Sequence, residues 1–324
     1  MALRGVLNVN KPPGITSYDV IRRIKPLVSD PVSPGTRSRT DVVQAMSPIA
    51  LTPRFRIGHA GTLDLPAGGV LLVLLGEATR IADCLQTRDK EYTARVRLGL
   101  RTDTDDMTGR VIEERPVGGI TQAQVEALLP DFRGEIEQAP PVFSALKVQG
   151  VRSSDRARRG EAVTPGPRLI TIRELELTDF ALPEFGLRMI VSRGTYVRSL
   201  VRDLGERLGC GATTQALTRT RIGSFRIEDA LPEESLERNV IAERLVGVEA
   251  ALSFLPRAMV SPAALKLLRD GRPLSDDAFL TPAPARLAAR SSLLCVRDEA
   301  GQILVLAEFE DGLWRTRRRI YADN

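Results

Sequence analysis

The chain has 324 residues, of which 43% are hydrophobic and 27% are charged. This length exceeds what one small core needs, so we expect a large domain over residues 1–250 and a smaller one over 251–324. No apolar stretch reaches the roughly 18 residues of a membrane-spanning helix, and the N-terminus lacks the apolar segment of a signal peptide. We therefore expect a cytoplasmic protein that does not associate with membranes.

Residues that commonly bind metals are scarce. The chain has one histidine and three cysteines, and Cys84, Cys210 and Cys295 are too far apart for the paired spacing of a zinc site. We expect no metal site, and free thiols in a reducing compartment.

The charge balance gives a first indication of the partner. The net charge is +5, and only five of the 46 basic residues are lysines. Arginine suits bidentate phosphate contacts and stacking on bases, which favours an acidic polymer such as RNA. Arginine abundance that merely reflects genome composition explains the same numbers equally well.

The first predicted elements are a short apolar strand at residues 3–9 and a helix that Ser17 caps and that continues to residue 24. A turn rich in proline and glycine separates them. From residue 26 to 55, Pro, Ser, Thr and Arg dominate without sustained periodicity. This composition predicts a mobile surface insertion.

Segment 56–80 is the first place to look for chemistry. It places the only histidine, His59, five positions before Asp64 in a loop punctuated by glycines. Small residues permit unusual backbone angles and close approach of a ligand, and the apolar run 70–75 predicts a buried element behind the loop. Taken alone, an aspartate in such a loop is more often a turn former or helix cap than a nucleophile.

Two regular elements come next. Residues 92–98 alternate between apolar and polar, which predicts a strand with Tyr92 on its apolar face. Thr121 and Gln124 have the spacing of a capping box, which predicts the start of a structural helix.

A strand and a helix then meet at a glycine. Residues 187–191 form an apolar run, the chain turns at Gly194, and residues 197–208 carry the apolar stripe of an amphipathic helix. Arg198 lies in the first turn of that helix. Its guanidinium can therefore reach past the helix start toward the end of the strand.

The last quarter has a different pattern. Ser261 and Pro262 have the types preferred at the N-cap and first position of a helix, and short strands follow at 293–296 and 303–309. This pattern predicts a small, mostly β unit.

Five groups of motifs extend in order over most of the first 230 residues. They are residues 7–17; Gly-His-Ala-Gly-Thr-Leu-Asp at 58–64; Lys-Glu-Tyr at 90–92 with 98–105; Gln-Ala-Pro-Pro at 138–141 with 144–147; and 194–205. Together they resemble the bacterial tRNA pseudouridine-55 synthases, the TruB family. The C-terminal unit resembles the PUA-like RNA-binding domain of these enzymes.

The resemblance implies a fold and a reaction. The fold is α+β, a pseudouridine-synthase-type mixed sheet with flanking helices followed by a small barrel-like β domain. The reaction turns a uridine in the T-arm of tRNA into pseudouridine, without a cofactor and by a monomer. The resemblance makes Asp64 the nucleophile and Arg198 its positively charged partner, which keeps the carboxylate ionised.

The same resemblance assigns the substrate contacts. Tyr92 stacks on the target base and Tyr196 lines the pocket. Leu217 forms an apolar wall, although an ordinary core leucine explains that position nearly as well. His59 fills the space that the base leaves when it flips out of the RNA. Lys11, before Pro-Pro-Gly, is expected to brace a turn near the site.

Departures from the family pattern leave two alternatives open. Asp64 is followed by Leu-Pro-Ala-Gly where the family usually has Pro-Leu-Ala-Thr, and Phe143 replaces a tyrosine. We expect the loop backbone to differ locally between Leu65 and Gly68. The alternatives are a pseudouridine synthase for another RNA, and a non-catalytic RNA-binding or RNA-folding factor.

Overall fold

The computed structural model describes residues 3–29, 55–161, 165–280 and 293–320. Its strands are β1 (Gly5–Lys11), β2 (Ile57–His59), β3 (Gly68–Leu75), β4 (Lys90–Leu98), β5 (Leu100–Thr102), β6 (Val111–Glu114), β7 (Gly134–Gln138), β8 (Lys147–Val148), β9 (Val151–Arg152), β10 (Arg168–Ala181), β11 (Glu184–Val191), β12 (Ala212–Ile222), β13 (Phe225–Arg226), β14 (Leu231–Pro232), β15 (Arg257–Met259), β16 (Leu293–Arg297), β17 (Ile303–Glu310) and β18 (Leu313–Arg319).

The α-helices are α1 (Ser17–Val28), α2 (Ala82–Gln86), α3 (Gln122–Leu128), α4 (Ser153–Arg158), α5 (Val197–Arg207), α6 (Arg238–Arg244), α7 (Val248–Ala251) and α8 (Pro262–Arg269). Within the described ranges, no helix is long and apolar enough to cross a membrane.

A large mixed sheet organises the first part of the chain. Its strand order is β14-β1-β3-β12-β4-β11-β10-β7, with β2 paired to β3 and β13 to β12. Most neighbours are antiparallel, whereas β12 runs parallel to β3 and β14 runs parallel to β1. Helix α5 packs on β12, and α1 shares a core cluster with β1 and β3. The expected mixed α+β sheet with flanking helices is confirmed.

The strand behind the Asp64 loop is the most buried element of this sheet. Every residue of β3 is buried, as the apolar run 70–75 predicts. Strand β1 covers one edge of β3 along its whole length, and β12 meets its first residues on the other side. Burial on both faces explains why β3 is apolar throughout instead of alternating.

The C-terminal unit is a four-stranded sheet in the order β15-β16-β17-β18. Isolated bridges join Val260 to Phe279 and Leu274 to Trp314, so the segment between Leu274 and Phe279 links the two outer strands. The small β unit expected from the sequence is therefore confirmed, with barrel-like closure. Residues of this unit and of the large sheet share one apolar cluster, and the domain division after residue 250 stays a prediction.

Around α1 the structure differs from the prediction made from the sequence. Thr16, not Ser17, is the N-cap, and it forms a capping box with Asp19. The helix also continues past residue 24 to Val28, although it contains Pro26. Proline removes one backbone donor near the helix end, whereas Val28 is fully buried and holds the last turn in the core. Residues 26–28 of the expected insertion are thus helical, and residues 30–54 lie outside the described residues.

Other elements agree with the sequence. Thr121 caps α3 with the expected box, Ser261 caps α8, and α5 starts at Val197. Cys84, Cys210 and Cys295 are free and buried, which confirms the expected free thiols. The long strands β10 and β12 were not predicted.

A buried lysine holds the turn beside the Asp64 loop. Lys11 ends β1, is fully buried, and its ammonium donates hydrogen bonds to the carbonyls of Pro12 (3.0 Å) and Ile15 (2.7 Å). Within the same turn, the amide of Gly14 donates to the carbonyl of Leu65 at 2.8 Å. The expectation that Lys11 braces a turn is confirmed. Burial, together with the positive charge of Arg219, lowers the pKa of Lys11 to about 8.

The close approach of β12 to β3 requires a glycine, which gives a prediction for Gly69→Ala. Gly69 has φ +100°, and a Cβ there would lie 2.2 Å from the carbonyl oxygen of Arg219. We expect Gly69→Ala to lower the free energy of unfolding by at least ~2 kcal/mol, since strain and a backbone clash add. Gly119 has φ +95° in open space, so Gly119→Ala should lose only about 1 kcal/mol. Urea unfolding measures both, and equal losses would contradict the clash.

The buried lysine gives a pH-dependent prediction. The folded pKa of Lys11 is about 8, below the usual 10.5, so between these values the unfolded chain binds more protons. Stability must therefore rise with pH in this window. We expect the free energy of unfolding of the wild type to gain about 2–3 kcal/mol between pH 8 and 10 relative to Lys11→Met. Lys25→Met, at an exposed position of α1, is the control, and its difference from the wild type should not change.

Candidate active site

A cavity of 330 Å³ opens where the Asp64 loop meets the sheet. Its lining comes from the loop after β2, the end of α2, β4, the segment between β7 and β8, the turn between β11 and α5, and β12. The lining residues are Gly61, Thr62, Asp64, Gln86, Lys90, Tyr92, Ala145, Ser192, Arg193, Gly194, Thr195, Tyr196 and Arg219. A larger cavity of 620 Å³, lined by residues such as Leu98 and Pro183, includes none of the expected site residues.

Asp64 and Arg198 form an ion pair at this cavity. The Nε of Arg198 donates to Oδ2 of Asp64 at 2.8 Å. The side chain of Arg198 is only 6% exposed, whereas that of Asp64 is 39% exposed. The carboxylate is thus accessible, and the guanidinium supports it from the protein interior.

Three further acceptors fix the guanidinium. Nη1 of Arg198 donates to the carbonyl of Thr104 (2.7 Å) and Nη2 to that of Phe143 (3.1 Å). Oδ2 of Asp106 lies 3.5 Å from Nη1. Phe143, where the family usually has tyrosine, therefore supports Arg198 through its backbone, which does not depend on a side-chain hydroxyl.

Asp106 is a site residue that the sequence did not reveal. It is buried, and its Oδ1 accepts hydrogen bonds from the hydroxyl of Thr104 (2.8 Å) and the amide of Thr108 (3.0 Å). The motif at 98–105 ends one residue before it. Asp103, Asp105 and Asp106 crowd one turn, and nothing in the sequence indicates which of them faces Arg198.

Arg219 is a second site residue that the sequence did not reveal. It is 1% exposed, and it donates to the carbonyls of Val70 (2.8 Å), Gly61 (3.0 Å) and Thr62 (3.4 Å). These carbonyls belong to the Asp64 loop and to the strand that follows it. Arg219 therefore holds the loop backbone against β12, whereas Arg198 holds its carboxylate.

Tyr196 is positioned by Gln138. The side-chain amide of Gln138 donates to the carbonyl of Tyr196 (3.0 Å), and the amide of Tyr196 donates back to Oε1 of Gln138 (2.8 Å). Gln138 is buried, so this pair fixes the residue that precedes α5. Burial raises the pKa of Tyr196, which keeps its hydroxyl protonated at neutral pH.

Tyr92 and Leu217 lie on the same face of the sheet. A side cavity of 90 Å³ is lined by both of them together with Asp64 and Tyr196. Leu217 pairs with Ala94, two residues after Tyr92, and also packs against two core clusters. The structure thus brings five of the six expected site residues together: Asp64, Tyr92, Tyr196, Arg198 and Leu217.

His59 lies elsewhere. It ends β2, pairs with Val73, and is half-buried without lining the cavities that contain Asp64. Burial, followed by the charge of Arg219, lowers the pKa of His59. Its Nδ1 is buried without a hydrogen-bond partner among the described residues.

Residues 65–68, which differ from the family pattern, adopt a short turn. The amide of Ala67 donates to the carbonyl of Asp64 at 3.1 Å, and the side chain of Leu65 is 48% exposed. A Cβ on Gly68 would lie 3.3 Å from both the carbonyl of Lys11 and the ring of Pro13. Pro13 thus occupies the space beside Gly68 that a larger residue would need.

Over the same described ranges, no group of three or more His, Cys, Asp and Glu side chains is arranged to hold a metal ion.

Two family models match the chain. The model described as TruB family pseudouridylate synthase (N terminal domain) matches residues 50–197. The tRNA pseudouridylate synthase B C-terminal domain matches residues 198–264. The first match contains the Asp64 loop and the second begins at Arg198.

Solved structures share the fold. A Cbf5-Nop10-Gar1 complex has a chain that matches with a TM-score of 0.68 and 22% identity, covering 99% of this chain and 86% of that one. The archaeal box H/ACA sRNP Nop10-Cbf5 complex matches with a TM-score of 0.65, 21% identity and coverage of 99% and 87%.

Curated relatives are closer in sequence. The tRNA pseudouridine synthase B of Opitutus terrae is 40% identical over 252 residues, which cover 77% of this chain and 95% of the relative. That of Clostridium tetani is 37% identical, with coverage of 86% and 88%. That of Azoarcus sp. is 35% identical, with coverage of 98% and 94%. The chain therefore belongs to the TruB family of tRNA pseudouridine synthases.

Proposed function

We propose that this protein converts the uridine at position 55, in the T-arm of tRNA, into pseudouridine, with Asp64 as the nucleophile and without a cofactor. We further propose that it acts as a cytoplasmic monomer. The observation that carries the proposal is the accessible carboxylate of Asp64, held by a buried arginine in a cavity flanked by Tyr92 and Tyr196.

The chemistry asks little beyond a nucleophile and a closed pocket. The bond between N1 of uracil and C1′ of ribose breaks, the base turns, and a bond forms between C5 and C1′. C5 loses a proton and N1 gains one, so the product is an isomer of the substrate. A carboxylate can carry the intermediate covalently, by attack at C6 of the base or at C1′ of the sugar.

Asp64 is suited to this attack. Its Oδ2 accepts the hydrogen bond from Arg198, and among the described residues no hydrogen bond engages Oδ1. One oxygen is therefore fixed, whereas the other is not engaged, and Asp64 lines the cavity. The charged carboxylate is the nucleophilic form, and it is the form that pairs with Arg198.

The surrounding side chains suit a flat pyrimidine. Tyr92 offers an aromatic face for stacking, and Leu217 closes the adjoining space with an apolar wall. Tyr196 lines the remaining side. In this proposal the base enters between these three side chains with its C6, and the C1′ of its ribose, toward Asp64.

Entry of the base requires that it leaves its stack in the RNA. His59 ends the short strand β2, five residues before Asp64, and its buried Nδ1 lacks a partner in the described part of the chain. We propose that the imidazole fills the space left by the flipped base.

Replacing the nucleophile tests the reaction. Asp64→Asn keeps the size of the side chain but removes the charge, so we expect pseudouridine formation to fall by at least about 10³-fold while tRNA binding changes less than about threefold. Pseudouridine is mapped on unmodified tRNA, and binding is measured by filter retention. Asp131→Asn, which removes an exposed carboxylate paired with Arg207, is the control and should retain full activity.

The same measurement separates the proposal from its alternatives. Activity in Asp64→Asn would refute the assignment of the nucleophile. A wild-type protein that binds tRNA without forming pseudouridine would be an RNA-binding or RNA-folding factor. Pseudouridine missing from ribosomal RNA but present in tRNA of a deletion strain would identify another RNA as the substrate.

The fork of Arg198 gives a second prediction. The guanidinium of Arg198 donates simultaneously to Asp64 and to the carbonyls of Thr104 and Phe143. A lysine ammonium is a single point charge and cannot reach all three acceptors. We expect Arg198→Lys to lower kcat about 100-fold and to change KM less than about threefold, because the nucleophile is misplaced while the RNA surface is intact.

Arg207→Lys is the matched control for this variant, since Arg207 lies on the same helix and is exposed. Single-turnover kinetics on unmodified tRNA measure both variants. Equal losses in kcat and in affinity for Arg198→Lys would instead indicate that Arg198 contacts an RNA phosphate.

A further inference from the structure

Three cationic side chains line the Asp64 cavity and form no ion pair among the described residues. They are Lys90, Arg193 and Arg219. Among the described residues that line the cavity, Asp64 is the only carboxylate, and it is already paired with Arg198. The lining of this cavity is therefore positively charged.

The sheet brings these cations together. Lys90 is the first residue of β4 and lies two positions before Tyr92, on the same face. It pairs with Val191 at the end of β11, and Arg193 follows in the next turn. Arg219, on β12, pairs with Tyr92 of the neighbouring strand β4. Lys90 and Arg219 are thus neighbours of Tyr92 in the sheet, and Arg193 lies in the adjoining turn and lines the same cavity as Tyr92.

Their hydrogen bonds leave donors unused. Lys90 donates to the carbonyls of Gln86 and Arg88, two acceptors for the three protons of an ammonium. Arg219 donates to three carbonyls, although a guanidinium has five N–H groups. Arg193 is exposed, and its side chain makes no hydrogen bond or ion pair among the described residues.

Burial makes this group of positive charges energetically unfavourable when no anion is bound. Lys90 is 7% exposed and Arg219 is 1% exposed, and two buried charges of one sign repel each other. Burial and the charge of Arg219 lower the pKa of Lys90 to about 8. A negative group in the cavity would offset both the desolvation and the repulsion.

We propose that Lys90, Arg193 and Arg219 form a phosphate subsite, which takes the RNA phosphodiester adjoining the uridine whose base enters beside Asp64. A phosphodiester fits because it carries one negative charge and two free oxygens, and can reach more than one of these donors. This inference rests on the proposed function, since it assigns a role to the nucleotide around the same carboxylate.

The test asks whether the loss of binding caused by removing one protein charge depends on the charge of one RNA phosphate. Arg193→Gln is the main variant, because Arg193 is exposed and its loss should not disturb folding. It is placed in the Asp64→Asn background, where binding is measured without turnover. The probes are T-arm hairpins that carry a neutral methylphosphonate either 5′ or 3′ of the target uridine, and the same hairpin with phosphates throughout.

We expect Arg193→Gln to weaken binding of the all-phosphate hairpin about tenfold, and to weaken binding less than about twofold when one of the two adjoining phosphates is neutral. A methylphosphonate in the distal stem is the RNA control and should leave the tenfold effect unchanged. Arg244→Gln, at an exposed position of α6, is the protein control and should not couple to either adjoining phosphate.

A second variant tests the subsite even if Arg193 contributes little to phosphate binding. Lys90→Gln, checked for folding by circular dichroism, should show the same coupling, and Lys90→Arg should restore affinity for the all-phosphate hairpin. If neither Arg193→Gln nor a folded Lys90→Gln couples to an adjoining phosphate, the subsite is refuted. Because binding is measured without turnover, a wild type that makes no pseudouridine would refute the function and leave this test intact.

Discussion

The buried guanidinium of Arg198 is the interaction on which the site depends. A charge this deeply buried is tolerated only when its donors are satisfied, because desolvation costs several kcal/mol. Its acceptors come from distant parts of the chain: Asp64, Thr104, Asp106 and Phe143. The Asp64 loop, the turn after β5 and the segment after β7 must all be in place before Arg198 is satisfied. The fold and the orientation of Asp64 are therefore one requirement.

A second guanidinium, that of Arg219, holds a different part of the same loop. Arg198 contacts the carboxylate of Asp64, whereas Arg219 contacts only backbone carbonyls on either side of it. Side chain and backbone of the loop are thus fixed by different strands and helices. Since Arg219 is buried and has no carboxylate partner in the described part of the chain, it also leaves positive charge at the cavity that an ion pair would have cancelled. Structural support and an electropositive pocket are two results of the same residue.

Local patterns predicted the parts of the fold that depend on local physics. The apolar run of β3, the stripe of α5 and the capping box at Thr121 were all readable, and the resemblance implied the pairing of Asp64 with Arg198. The buried position of Arg219 could not be predicted, because Arg219 lies between polar residues of β12 and only the register with β4 turns it inward. Asp106 was hidden for a similar reason, since its burial depends on the contact between its turn and β12.

The altered stretch after Asp64 need not alter the nucleophile. The contacts that hold this loop end on backbone atoms: the carbonyls of Gly61 and Thr62 accept from Arg219, that of Leu65 accepts from Gly14, and the amide of Leu63 donates to the hydroxyl of Ser17. Backbone groups are the same whichever side chains they carry, so moving a proline and losing a threonine removes none of these bonds. Gly68 instead makes room for Pro13, whose turn carries the anchor to Leu65. The substitution and the turn are therefore matched to each other, and Asp64 stays where Arg198 can reach it.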